Sequence, residues 1–186
     1  MTCHGSDVSL SSTTSSAHAA LRNMPLDIEA LPFPVFFLLL CALCGALALI
    51  DLRRGIIPDG LNLAIGALGL ARAAAAGGAT SGLEALRDGV VIGAICWLLR
   101  RLYFAWRKVQ GLGLGDVKFL AAAGTWVGFS GIPMLILIAA IGALIAAGGL
   151  QLAGHSLTRQ TSLPFGPFLA IGLLSAVAAQ QWYGAI

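Results

Sequence analysis

Between Leu31 and Tyr183 the chain is almost continuously apolar, cut into stretches by short runs of charge, glycine and proline. No other feature limits the fold so strongly. A helix needs about 20 apolar residues to cross a bilayer core, and six stretches approach that length. They run from about Leu31 to Ile50, Leu61 to Ala76, Leu86 to Phe104, Val117 to Phe129, Ile132 to Ala153 and Pro164 to Tyr183. The second and fourth are short or interrupted by small residues, so their ends are soft. The expected fold is all-α: a polytopic membrane protein with about six transmembrane helices, occupying residues 31–186 as one domain. Abundant glycine and alanine within the stretches suits close helix packing in lipid.

Composition supports the same solvent. Hydrophobic residues make up 58% of the chain and charged residues 10%, with a mean hydropathy of +0.90. A soluble domain carries about a quarter charged residues. This chain lacks the polar surface to cover itself, and the lipid bilayer is its expected environment. The net charge of +3 is small, and no dense Lys/Arg run interleaved with aromatics is present. Nucleic acid is therefore not an expected partner. Residues 1–30 open with a Ser/Thr-rich stretch that has no apolar run, and they are expected to be a disordered tail.

The basic residues give an orientation. With six crossings, one side holds Arg53, Arg54, Arg100, Arg101, Arg107, Lys108, Lys118 and Arg159. The other holds Arg22, Arg72 and Arg87. The first side is expected to be cytoplasmic, with both termini on the opposite face. Tyr103, Trp106 and Trp126 read as interfacial anchors. Cys41 and Cys44 form a CxxC, but they lie inside an apolar stretch without the further ligands that a structural zinc site requires. They read as small packing residues, and no metal site is expected. His4, His18 and His155 are scattered and carry no assigned chemistry.

Few acids remain once the tail and the external loop are set aside: Asp51, Asp59 and Asp116. Ionisable groups at the margin of a membrane helix are expensive and often mark function. Asp59 follows Pro58 ahead of the second stretch and reads as a helix N-cap. Asp116 ends the run GLGLGD. A dinucleotide-binding loop would space its glycines G-x-G-x-x-G between a strand and a helix, and a Walker loop would end in Gly-Lys-Ser/Thr; this run does neither. Glycine also lets a backbone approach a partner closely. Gly113 and Gly115 are thus expected to admit an extended peptide to the carboxylate beside them.

Asp51 and Asp116 are separated by two crossings, which return the chain to the same face and allow the acids to meet. Two carboxylates in a low-dielectric site share a proton and titrate as a pair. One then acts as base on a water while the other acts as acid, the chemistry of aspartic proteases. Lys118 reads as one more cytoplasmic cation.

The segments DLRRGIIPD (51–59), GLGDVK (113–118) and LPFGPFLAIG (163–172) together resemble the type IV prepilin peptidases, the bacterial branch of the GxGD intramembrane aspartyl proteases. The resemblance extends from about Leu31 onward. It implies that Asp51 and Asp116 are the catalytic dyad at the cytoplasmic membrane border of the bacterial inner membrane. It implies a substrate-binding role for Gly113, Gly115, Pro164, Phe165, Gly166 and Pro167. The implied substrates are prepilins or type II secretion pseudopilins, cut between a basic leader and an apolar helix without metal or cofactor. Longer family members carry an N-terminal region with paired CxxC motifs, associated with N-methylation. Here the only CxxC is inside a helix, so peptidase activity is expected and N-methylation is not. Two other classes fit the apolar acids less well: an inactive membrane assembly factor and a small proton- or ion-coupled transporter. The acids near one face, instead of the midplane, weigh against transport. Residue pattern does not set the oligomeric state.

Overall fold

The computed structural model describes residues 33–108, 113–152 and 164–184. The expected tail, the three histidines and Gly111 lie outside them. Among the described residues the regular structure is helical: α1 (Phe33–Arg54), α2 (Asp59–Arg107), α3 (Leu114–Leu152) and α4 (Gly166–Gly184). Each packs on two others, in the order α1–α2–α3–α4 and back to α1, with the most extensive interface between α2 and α3.

Two of these helices are broken. In α2 the backbone leaves helical geometry at Gly77 and Gly78, where Gly78 has φ 72°. In α3 it does so at Gly128, with φ 63°. A side chain at such a φ is sterically costly, so glycine is what allows the chain to turn there. Four helices thus contain six helical segments, matching the six apolar stretches. The connection expected over GGATSG is shorter than its composition suggests. The helix resumes at once, and the Thr80 and Ser81 hydroxyls donate to the Gly77 carbonyl at 3.3 and 3.2 Å. At the second break, the Gln180 amide donates to the Val127 carbonyl at 2.9 Å.

α1 and α3, of 22 and 39 residues, are long and apolar enough to cross a membrane. Their outer faces are greasy: Leu38, Leu144 and Ile145 are each more than two-thirds exposed. An apolar surface of this extent points to contact with lipid or protein.

Burial follows the helical period. On α1 the buried positions are Phe36, Leu40, Cys44, Leu47 and Asp51. The acid therefore continues the same stripe that supplies the core. Cys44 belongs to that stripe, and Cys41 beside it is half-buried. On α4 the stripe includes Gly166, Leu169, Ala170, Leu173, Ala176 and Val177. The first segment of α3 is enclosed nearly all round, with Phe119 and Ala123 fully buried.

Trp126 sits in this enclosed segment and corrects the expectation of an interfacial anchor. It is 3% exposed and donates its indole N–H to the Ile65 carbonyl at 2.9 Å. The Arg72 guanidinium lies 5.4 Å from its ring centroid and 5.8 Å from that of Phe33. Trp106 is 90% exposed and Tyr103 about half exposed, so both remain available as surface anchors.

Candidate active site

The site is assembled from four helix ends. α1 stops because Gly55, at φ 62°, takes the left-handed conformation that ends helices, and its N–H bonds the Asp51 carbonyl at 2.7 Å. This places Asp51 in the last turn of α1. A carboxylate is unfavourable there, where the helix dipole is negative, and the acid is 5% exposed. The offsetting contact comes from the start of α4. The Gly166 N–H, one of the amides a helix start leaves unbonded, donates to Asp51 Oδ2 at 2.9 Å. Asp51 thus meets the positive end of another helix.

Asp116 is placed differently. Gly113 precedes the first turn of α3 and its carbonyl accepts from the Val117 N–H, so Asp116 is the third helical residue. From that position its side chain folds back on the Gly113 backbone amide, the acidic half of a capping box. An acid in a first turn is favoured by the dipole. Local structure alone therefore holds Asp116, whereas Asp51 depends on a distant helix.

Both acids line one cavity of about 430 Å³, and they are near enough for their charges to act on each other. Its walls also include Gly113, Gly115, Pro164 and Phe165. Of the residues expected to meet a substrate, these four stand beside the acids. Gly166 and Pro167 lie just past that wall in the first turn of α4, where Phe165 caps the helix by accepting from the Phe168 and Leu169 amides. Gly166 is occupied with Asp51, and a Cβ on it would stand 2.6 Å from the carboxylate oxygen. A Cβ on Gly115 would meet the Ile57 side chain at 3.1 Å. The two glycines let elements close on one another, in addition to any room they leave for a peptide.

One sequence reading is corrected here. Asp59 is not the N-cap of α2: Pro58 holds that place without a side-chain cap bond, and Asp59 is the first helical residue. Lys118, read as one more cytoplasmic cation, is engaged with that same acid. Its ammonium bonds both Asp59 carboxylate oxygens at 2.7 Å. This pair ties the start of α2 to the start of α3, at the rim of the cavity.

A comparison with known families places this geometry. Residues 38–148, more than half of the chain, match the family model described as the type IV leader peptidase family. The chain belongs to that family. Several curated proteins carrying the name prepilin leader peptidase/N-methyltransferase are similar to it. One from Burkholderia pseudomallei (strain 1026b) is 38% identical over 72% of this chain and 42% of its own length. One from Escherichia coli (strain K12) is 35% identical over 73% of this chain and 59% of its own. A third, from Aeromonas hydrophila, is 35% identical over 78% and 51%. The chain spans about half the length of the curated relatives it matches. No solved structure matches it. The family and the long apolar helices together identify a membrane protein.

One further polar residue escaped the sequence reading. Asn62, one turn beyond Asp59 on α2, is 5% exposed, and neither atom of its amide has a hydrogen-bond partner among the described residues. It lies in an apolar stretch as one polar letter among many, with no motif to mark it.

Proposed function

We propose that this chain is an intramembrane aspartyl endopeptidase that removes the basic leader from type IV prepilins or type II secretion pseudopilins. In this reading Asp51 and Asp116 are the catalytic pair. The six helical segments form a membrane domain, multi-pass in the bacterial inner membrane, and the cavity opens at its cytoplasmic end. The observation that carries the proposal is the convergence of the two acids on one cavity, from helices two crossings apart, in a chain of the type IV leader peptidase family. The family relatives' names supply the substrate class.

The chemistry needs two carboxylates and a water, with no metal or cofactor. With one proton shared between the acids, the ionised member takes a proton from water as it attacks the scissile carbonyl carbon. The protonated member gives its proton to the carbonyl oxygen. When the tetrahedral intermediate collapses, the C–N bond breaks and the proton taken from water passes to the leaving amine. A hydroxyl of the intermediate returns a proton to the other carboxylate as it becomes the new carboxyl group, so the pair returns to its starting charge. Gly113 and Gly115 from one side, with Pro164 and Phe165 from the other, wall the space for an extended peptide. Gly166 and Pro167 continue the second wall.

The test is co-expression with a prepilin, reading leader removal and any added methyl mass by mass spectrometry. Wild type should remove the leader, and Asp51→Asn or Asp116→Asn should slow removal by about a hundredfold or more. Equal cutting by the aspartate variants would reject the pair. A transporter or an inactive assembly factor would leave the prepilin uncut in every lane.

A further inference from the structure

A second cavity, a groove of about 540 Å³, adjoins the first. Asp59 and Lys118 line both, so the ion pair stands between the acid site and the groove. The groove is walled by α2 and the first segment of α3, and its lining includes exposed Leu63, Leu86 and Val90. Apart from the ion pair, its polar lining residues are Asn62 and Thr125. The Thr125 hydroxyl is already engaged with the Ala122 carbonyl at 2.8 Å. Asn62 is left with a donor and an acceptor, both buried and both unpartnered among the described residues.

We propose that this groove seats the apolar segment on the mature side of the substrate, and that Asn62 hydrogen-bonds the substrate backbone where that segment unwinds to enter the acid site. The proposal rests on the peptidase reading. The bond to be cut lies where the leader meets an apolar helix, and presenting it in extended form requires the adjoining turn of that helix to unwind. In an apolar setting each backbone N–H and C=O so released must find a partner. A carboxamide offers one donor and one acceptor, the complement of a peptide group. Asn62 presents both, one helical turn from the ion pair that borders the acids. A lipid chain has no hydrogen-bonding groups at that depth, and an intact helix from a second copy of this chain has its own already paired. Neither accounts for Asn62. A half-unwound substrate does.

An unpartnered buried amide also weakens the resting fold. A residue that costs stability where it stands, beside a reactive site, is the expected mark of a binding role.

The experiment uses the full chain in lipid nanodiscs and a synthetic peptide with a basic leader followed by about 20 apolar residues. In an Asp116→Asn background, a photoreactive benzoylphenylalanine replaces Leu63, Val90 or, as an off-groove control, exposed Leu144. Crosslinks should form from positions 63 and 90 to peptide residues just after the cleavage point, and not from 144. In parallel, Asn62→Leu in the otherwise wild-type chain should cut the same peptide with kcat/KM reduced by about tenfold or more, the loss of one buried hydrogen bond, while Tm holds or rises. A merely structural Asn62 would instead lower Tm. Crosslinking from 144 as strongly as from the groove, crosslinking to a second enzyme copy, or full activity in Asn62→Leu would overturn the proposal. If wild type cuts the peptide but the groove positions do not crosslink, the groove assignment alone fails. If wild type does not cut it, the peptidase reading fails and takes the groove with it.

Discussion

Asp51 and Asp116 are the same residue type held by opposite means, and this asymmetry yields a prediction. Asp116 keeps its place through a turn of its own helix, while Asp51 relies on the Gly166 amide from another. Gly166→Ala would put a methyl group against the Asp51 carboxylate. A catalytic group displaced by about 1 Å can cost a hundredfold, so the single-turnover cleavage rate should fall by about that factor while circular dichroism remains native. An unchanged rate would show that Asp51 does not need Gly166. The sequence made the acids legible, because an aspartate beside an apolar stretch is rare enough to notice. It also singled out the Pro-Phe-Gly-Pro run, but as a substrate contact. A hydrogen bond across 115 residues leaves no local pattern, so the part Gly166 plays in holding Asp51 became visible only with α1 and α4 packed.

Helix breaks are the element-scale feature on which the site depends. Gly128 and Gly78 have positive φ, and Gly45 lies mid-helix with open space around it. Gly128→Ala or Gly78→Ala should destabilise the chain by about 1–3 kcal/mol, whereas Gly45→Ala should stabilise it by about 0.5–1 kcal/mol. Thermal melts in one detergent would check both signs. The Asp59–Lys118 pair also acts between elements, but its side chains are 72% and 42% exposed. A double-mutant cycle on stability should give a coupling of about 1 kcal/mol or less; a larger value would mean that the helix starts are held by that pair. The six stretches were readable from hydrophobicity, because glycine and polar runs interrupt it where the backbone turns. Helix starts were less readable. Pro58 and Asp59 are both good first-turn residues, and the bond from Asp59 to Lys118, 59 residues away, leaves no local pattern that would separate them.

At the scale of the whole molecule the acid-bearing ends, the proline-rich start of α4 and many of the basic residues gather at one end of the bundle. The breaks at Gly77–Gly78 and Gly128 belong to the turns that bring them there. The proposed orientation, from the positive-inside rule, puts that end in the cytoplasm. In a background without native cysteines, Arg54→Cys should react with a membrane-impermeant maleimide only after the cells are opened, and Thr80→Cys should react in intact cells. The reverse pattern would invert the topology and move the site to the outer face. The proposed orientation rests on counts of Lys and Arg, which the sequence displays directly. The pairing of α1 with α4 was not legible there, since the apolar faces of these helices carry no label for their partners.

The dependence of Asp51 on α4 has a consequence in time. A ribosome makes both acids well before it reaches Gly166, the residue whose amide holds the first of them. Until α4 has entered the bundle, the nascent chain carries its two carboxylates but lacks that restraint on Asp51. In the proposed reading, the catalytic pair is therefore fully restrained only once α4 is in place.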